Sequence, residues 1–195
     1  MSIARVGIPS VSCIINQNIA GMLRGDGKLS RSIKSSIDHI KRIYLSSDLL
    51  RIRYDETYEI GLIEFDSRRQ TVIDIYNAFN SELRLLNERR GSMSRLNGKA
   101  SLLVRLIAEM FSFEEARMIG MEYSEFASHK ARHTGFLESL HGEFERIQEG
   151  RADMYDLSYL IGSWLADHLR GDDRVFRDFV VRADQGALPA GEGTD

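Results

Sequence analysis

Cysteine is almost absent from this chain, since Cys13 is the only one among its 195 residues. A single cysteine cannot form a disulfide within the chain, so the fold must depend on a packed core, and the reducing cytoplasm is the expected location. The sequence also lacks any apolar run that approaches the ~20 residues needed to span a bilayer. We therefore expect no membrane partner.

An excess of charge of one sign is missing as well. The 26 lysines and arginines nearly balance the 29 aspartates and glutamates, for a formal net charge of −3. A protein whose main partner is nucleic acid usually carries a basic surface, so we expect no nucleic-acid partner. Hydrophobic residues make up 43% of the sequence, which is enough for one domain with its own core and an appendage.

Apolar residues recur at helical spacing through most of the chain. The pattern predicts four helices of similar length, at about residues 66–87, 94–118, 125–149 and 153–168. Asp66 and Asp153 are the predicted N-caps of the first and the last. Short turns make neighbouring helices antiparallel, so the predicted fold class is all-α, an antiparallel up-down-up-down four-helix bundle.

The chain divides into three predicted regions. Residues 1–50 are an N-terminal extension, in which residues 29–50 place isoleucines on one face and charged residues on the other, as in an amphipathic helix. Residues 51–180 are the bundle, and residues 181–195, which have no apolar period, are a disordered tail. The apolar stripe of residues 29–50 packs on the bundle, on a second copy of itself or on a protein partner, and the sequence does not choose among them.

Five side chains that can bind a metal fall on the predicted helices. His129 and His133 are four residues apart and share a helix face, Glu114 lies on the preceding helix, and His168 and Asp173 lie in one helical stretch, residues 164–176. Three neutral imidazoles and two carboxylates are a suitable ligand set for iron, manganese or zinc. Alone, the His-x-x-x-His pair would more often be two core or surface histidines.

Three neighbouring residues are interpreted as lying outside this ligand set. Glu115 is expected to face solvent beside a buried Glu114. His141 is eight residues past His133, about 12 Å along the helix axis, and is expected at the surface. Trp164 is expected to pack in the core beside the site.

The order and spacing of these residues are similar to those of a known family. Residues 54–66 read Tyr-Asp-Glu-Thr-Tyr-Glu-Ile-Gly-Leu-Ile-Glu-Phe-Asp and resemble the family's entry arm. The spaced positions that follow the family's pattern are Phe113, Glu114, Glu115, Met118, Tyr123, His129, His133, Phe136, Trp164, Leu165, His168, Asp173 and Phe176. Over about two thirds of the chain, the sequence resembles bacteriohemerythrin, a hemerythrin-like non-haem iron domain.

This resemblance implies a ligand set with two replaced positions. The family holds two irons bridged by two carboxylates. The residues that match the ligands of one iron and the bridging carboxylates are His129, His133, His168, Glu114 and Asp173. Two further histidines bind the family's other iron, and the matching positions here hold Arg69 and Met110.

The two replacements predict a changed centre. The thioether of Met110 is a poor ligand for iron, and the guanidinium of Arg69 cannot ligate and repels a cation. We therefore expect one iron ion rather than two, and loss or strong weakening of the oxygen carriage that the family performs with both. We also predict that the Arg69 guanidinium bridges Glu114 and Asp173 in place of the second ion, with Met110 packing beside it.

Three functions remain open from the sequence. The first is a hemerythrin-like metal-binding protein, not an enzyme, that binds or senses dioxygen, another small diatomic ligand or redox state at one iron ion. The second is a metal-free interaction or signalling bundle with a vestigial site. The third is an enzyme that uses the single ion. Metal content separates the first from the second, and turnover of oxygen or peroxide would identify the third.

We predict that the bundle folds without residues 1–50, because four helices already close its core. The truncated protein should be soluble and helical by circular dichroism, and it should bind metal as the full chain does. Loss of the helical signal on truncation would show that the extension is part of the core.

Overall fold

The computed structural model describes residues 51–186, which form five α-helices preceded by a 3-10 turn, Glu56–Tyr58. The helices are α1 (Ile63–Asn87), α2 (Met93–Gly120), α3 (Phe126–Gln148), α4 (Met154–Arg170) and α5 (Asp172–Gly186). Each of the first four packs against the next, and α4 also packs against α1, which closes the bundle. The predicted all-α four-helix bundle is confirmed.

Apolar side chains from one face of each helix form the core of the bundle. Ile73, Phe79, Leu103, Ile107 and Ile161 are all 0% exposed. Burying an aliphatic or aromatic side chain of this size contributes about 1.5–3 kcal/mol, so helix packing stabilises the fold more than local helix propensity does. No described helix combines the length and the apolar character needed to cross a membrane.

The two ends of the chain lie outside the described residues. The predicted extension, residues 1–50, with its amphipathic helix at residues 29–50, is not described, and neither are residues 187–195. The predicted start of the tail at residue 181 is wrong, because α5 continues to Gly186. Phe176 and Val180 are buried one helical turn apart and anchor α5.

The start of α1 differs from the prediction. Leu62 is the N-cap of α1 and makes no side-chain cap, so the N-cap role predicted for Asp66 is wrong. Asp66 instead accepts hydrogen bonds from the backbone N–H groups of Ile60 (2.8 Å) and Gly61 (3.1 Å). Gly61 has φ 87°, a left-handed conformation that favours glycine and turns the chain from the entry arm into α1. Asp66 therefore fixes the arm rather than the helix end.

The stretch predicted to hold both His168 and Asp173 is two helices. α4 ends at Arg170 with Gly171 as its C-cap, and α5 begins at Asp172. Asp173 therefore lies in the first turn of α5 and not at the end of α4. This break is what lets a second acidic side chain enter the bundle.

An apolar cluster at one end of the bundle fixes the position of α5. Its buried members are Ile60, Phe65, Met118, Tyr123, Phe176 and Val180. The Phe176 ring lies 5.7 Å from that of Phe65 and 5.1 Å from that of Tyr123, measured between centroids. Because Phe176 follows Asp173 by less than one helical turn, this cluster also holds Asp173 in place.

Glu82 stabilises the turn between α1 and α2 through its side-chain carboxylate. We predict that Glu82→Gln loses stability in a pH-dependent way. Glu82 Oε1 accepts hydrogen bonds from the Ser92 backbone N–H (2.8 Å) and from Arg95 Nε (3.0 Å). These bonds, the Ser92 bond foremost, lower the pKa of Glu82. A lowered pKa gives stability that is present above the unfolded-state pKa and is lost as pH falls through the folded-state value.

Thermal unfolding at pH 7 should therefore show a lower Tm for Glu82→Gln than for the parent, and the difference should close under acid conditions. Glu88→Gln is the matched control, since Glu88 is half-exposed and meets Arg90 only at 3.6 Å. A Tm difference for Glu82→Gln that is independent of pH would show that the charge has no part in the effect.

Candidate metal centre

Five buried side chains from four helices converge inside the bundle. Glu114 comes from α2, His129 and His133 from α3, His168 from α4 and Asp173 from α5, and each is at most 2% exposed. One ligand atom from each residue can be chosen so that all five lie within 4.8 Å of one another. The structure thus brings together every residue of the ligand set proposed from the sequence.

The three imidazoles point their Nε2 atoms at one another. His133 Nε2 lies 3.1 Å from His129 Nε2 and 3.0 Å from His168 Nε2. One oxygen of Asp173 lies 3.0 Å from His168 Nε2 and 3.3 Å from His129 Nε2. One oxygen of Glu114 lies 3.6 Å from His133 Nε2. Five atoms that can bind a metal ion therefore face a common point.

Aromatic rings hold two of the imidazoles in orientation. The Phe111 ring stacks on His133 at 3.8 Å between centroids with an interplanar angle of 1°. The Trp164 indole stacks on His168 at 4.1 Å and 18°. These flat contacts shield the ring faces from water and leave the ring edges directed at the site. Trp164 packs beside the site, as the sequence predicts.

Arg69 contacts the two carboxylates on the side opposite to the imidazoles. Its side chain is 1% exposed. Arg69 Nη2 donates to Glu114 Oε1 (3.0 Å) and to Asp173 Oδ2 (2.6 Å), and Nε also donates to Glu114 Oε1 (3.3 Å). Nη1 donates to the backbone carbonyl of Tyr58 at 3.2 Å. The guanidinium thus bridges Glu114 and Asp173, as the sequence predicts, and it also holds the entry arm, which the sequence did not reveal.

The second oxygen of each carboxylate faces the imidazoles without a hydrogen bond. Among the described residues, Glu114 Oε2 and Asp173 Oδ1 have no hydrogen-bond partner although both are buried. An unsatisfied buried oxygen costs free energy, and two of them beside three imidazole nitrogens need an explanation. Iron, manganese or zinc accepts this mixture of nitrogen and carboxylate ligands, so the residues present fit such an ion.

Electrostatic coupling across the site is strong. Burial raises the pKa of Glu114 to about 7, with the charge of Asp173 adding to the effect and Arg69 opposing it. For Asp173, burial opposes ionisation, but the charges of Arg69 and His168 hold its pKa well below the usual range. Burial together with the neighbouring imidazoles lowers the pKa of His133 to about 2. The site therefore keeps a nitrogen lone pair and a carboxylate charge available at neutral pH.

His168 behaves differently from His133. Burial opposes its protonation, but the Asp173 charge and the hydrogen bond to Asp172 outweigh burial and raise its pKa to about 9. Without a metal ion, the proton on His168 supplies a positive charge beside Asp173. A bound cation would take the place of that proton.

Two outer carboxylates were missed by sequence reasoning. Glu115, expected to face solvent, is only 17% exposed, and its Oε1 accepts from His133 Nδ1 at 3.1 Å; that expectation is wrong. Asp172 Oδ2 accepts from His168 Nδ1 at 3.1 Å. The four-residue spacing of His168 and Asp172 is a signal that could have been used. Glu115 left no such signal, because its partner is on another helix.

The remaining positions lie where the sequence places them. Met110 is 1% exposed and packs in the core. His141 is 79% exposed and pairs with Glu145 at the surface, so it takes no part in the site.

Proteins with similar sequences belong to the hemerythrins. The chain is 26% identical over 129 residues to the bacteriohemerythrin of Stenotrophomonas maltophilia (strain R551-3), covering 65% of this chain and 80% of that protein. It is 34% identical over 75 residues to the myohemerythrin of Theromyzon tessulatum, covering 38% of this chain and 58% of that protein. The bacteriohemerythrin of Methylococcus capsulatus (strain ATCC 33009 / NCIMB 11132 / Bath) is 22% identical over 112 residues, covering 57% and 82%. No family model and no solved structure matches the chain.

We predict that Arg69→Met strongly destabilises the metal-free protein. The substitution keeps side-chain volume but leaves Glu114 and Asp173 buried together without a cation, which typically costs about 3–5 kcal/mol. Arg69→Lys keeps the positive charge but loses the planar guanidinium that contacts both carboxylates, so it should lose less stability than Arg69→Met. Urea unfolding at pH 7 measures both.

Arg105→Met is the matched control for this experiment. Arg105 pairs with Glu109 at 3.2 Å on the surface of α2, and a surface pair contributes at most about 1 kcal/mol. If Arg69→Met lost no more stability than Arg105→Met, the buried ion pairs would not support the fold.

Proposed function

Since the chain forms a hemerythrin-like four-helix bundle, we propose that it is a metal-binding protein that holds one non-haem iron ion. We further propose that it binds or senses dioxygen, another small diatomic ligand or redox state, and that it does not carry oxygen on a two-iron centre. The ion would be held by His129, His133 and His168, with Glu114 and Asp173 completing the ligand set.

The observation that carries this proposal is that the two oxygens of each carboxylate, Glu114 and Asp173, face different partners. Each carboxylate gives one oxygen to Arg69 and directs its other oxygen, which accepts no hydrogen bond among the described residues, at the imidazole nitrogens. For Asp173 this second oxygen lies 3.0 Å from His168 Nε2. A cation among the Nε2 atoms would satisfy both oxygens at once. Nothing in ordinary core packing requires three imidazoles and two buried carboxylate oxygens without hydrogen bonds to share one point.

The proposal of one ion rather than two rests on Arg69. The oxygens that could bridge to a second cation already accept hydrogen bonds from its guanidinium. The guanidinium is always protonated and would repel another cation at this distance, where water does not screen the charges. Met110 is the neighbouring replaced position, and its thioether is a poor ligand for iron.

When bound, one iron ion would supply a one-electron redox step and a coordination position for a small ligand. The chain's own residues hold and shield that position. The three imidazoles would hold the ion, and the rings of Phe111 and Trp164 stack on two of them and shield them from water. Arg69 keeps the carboxylates in place from the other side. These roles suit a binding or sensing site in a cytoplasmic protein, with residues 29–50 available for a protein partner or self-association.

A metal-free interaction or signalling bundle is the second candidate, and Arg69 is the observation that favours it. Its guanidinium already compensates Glu114 and Asp173, so the fold does not need a metal ion to neutralise them. This candidate leaves the two carboxylate oxygens without hydrogen bonds and the convergent Nε2 atoms unexplained, which is why we prefer the first.

We predict about one metal ion per chain after expression with added iron. Elemental analysis and the ultraviolet-visible spectrum of the full-length protein measure the content and show whether two irons share an oxo bridge. His133→Ala should lose the ion, while His141→Ala, which changes an exposed histidine of the same helix, should keep it. Two tightly held irons would contradict the single-ion proposal, and metal-free protein would favour the interaction bundle.

The double variant Arg69→His with Met110→His tests why only one ion binds. It removes the guanidinium and supplies two imidazoles at the positions that match the second pair of histidines in the hemerythrins, so metal content should rise to about two per chain. Met110→His alone is the control and should leave the content unchanged, because the guanidinium remains. A double variant that still holds one ion would show that Arg69 does not set the number.

A further inference from the structure

The three histidines of the site are not held alike. His133 Nδ1 meets Glu115 Oε1 at 3.1 Å, and His168 Nδ1 meets Asp172 Oδ2 at 3.1 Å. His129 Nδ1 is buried and has no hydrogen-bond partner among the described residues. Two imidazoles thus carry an outer carboxylate, and the third carries none.

An outer carboxylate decides which ring nitrogen presents a lone pair. A carboxylate can only accept, so each contacted Nδ1 must carry a proton. In a neutral imidazole the other nitrogen, Nε2, is then unprotonated and available to a cation. For both His133 and His168, that nitrogen is the one directed at the centre of the site.

The two outer carboxylates are themselves fixed by cations on α3. Glu115 Oε2 lies 3.2 Å from Lys130 Nζ, and Asp172 Oδ2 lies 3.0 Å from Arg132 Nε. Both cations are about half-exposed and lie between His129 and His133 in the sequence. Two series of contacts therefore connect the surface to the site. One joins Lys130, Glu115 and His133, and the other joins Arg132, Asp172 and His168.

We infer that Glu115 and Asp172 are positioning residues that fix His133 and His168 as Nδ1–H tautomers with Nε2 directed at the bound metal. His129 lacks this support at its Nδ1. The metal part of this inference rests on the proposed function. The tautomer part does not for His133, whose tautomer can be observed in the metal-free protein as well.

Metal affinity provides the first test, in the full-length protein with Co²⁺ alone as the probe. Chelator competition should show about 10–100-fold weaker Co²⁺ binding for Glu115→Ala and for Asp172→Ala. Glu115→Gln and Asp172→Asn keep an acceptor oxygen and should recover most of the loss. Glu145→Ala removes the carboxylate beside the exposed His141 on α3 and should bind Co²⁺ as the parent does.

Nitrogen-15 spectra of the imidazoles provide the second test and need no metal. In the metal-free protein at pH 7, His133, identified by its absence in His133→Ala, should show a protonated Nδ1 and an unprotonated Nε2. Glu115→Ala should abolish that preference, and Glu115→Gln should keep it. A purely structural role for Glu115 would change thermal unfolding without changing the tautomer.

The outcomes separate this inference from the proposed function. If the parent binds no Co²⁺, the proposed function fails, and the tautomer of His133 still decides whether Glu115 positions it. If the parent binds Co²⁺ and the alanine variants bind it equally well, the positioning role is wrong. It is also wrong if Glu115→Ala leaves His133 in the Nδ1–H tautomer.

Discussion

The buried ion pairs of Arg69 with Glu114 and Asp173 are the interaction on which the rest of this molecule depends. Moving a guanidinium and two carboxylates out of water costs several kcal/mol per ion, and only close, well-directed hydrogen bonds offset it. Here Nη2 reaches both carboxylates and Nη1 reaches the Tyr58 carbonyl. These contacts join the entry arm, α1, α2 and α5, so the arm and the site cannot be positioned independently.

This arrangement gives the centre two unlike sides. On one side, a fixed positive charge occupies one oxygen of each carboxylate. On the other, the remaining oxygens face three imidazole nitrogens. The Arg69 guanidinium is part of the chain, so a chelator cannot remove it. The charge on this side of the carboxylates is therefore fixed by the fold alone. The other side presents nitrogen and oxygen atoms that fit the proposed metal ion.

The features that follow from helical periodicity or from side chains on predicted helix faces could be read from the sequence. The four helices, the pairing of His129 with His133 and the contact of Arg69 with both carboxylates are of this kind. In each case the spacing along a helix sets the direction of the side chain, and the resemblance to hemerythrins indicated which directions meet.

The features that were missed depend on contacts between distant parts of the chain. Glu115 looked like a surface residue because its partner, His133, lies on another helix. Asp66 was predicted to be an N-cap from its place before a helical pattern. Its partners are instead backbone N–H groups of the arm, which the sequence pattern does not reveal. The separate helix α5 after Gly171 was not predicted, because the burial of Phe176, which holds α5 in place, is a tertiary effect.

The charge that Arg69 adds also bears on the oxidation state of the proposed iron ion. The two carboxylates and the guanidinium together carry one net negative charge when both acids are ionised. A ferrous ion would leave this group with one net positive charge, and a ferric ion with two. In a buried site of low dielectric the more highly charged state is the more costly one. The guanidinium therefore favours the ferrous ion, because without it both states would carry one positive charge less.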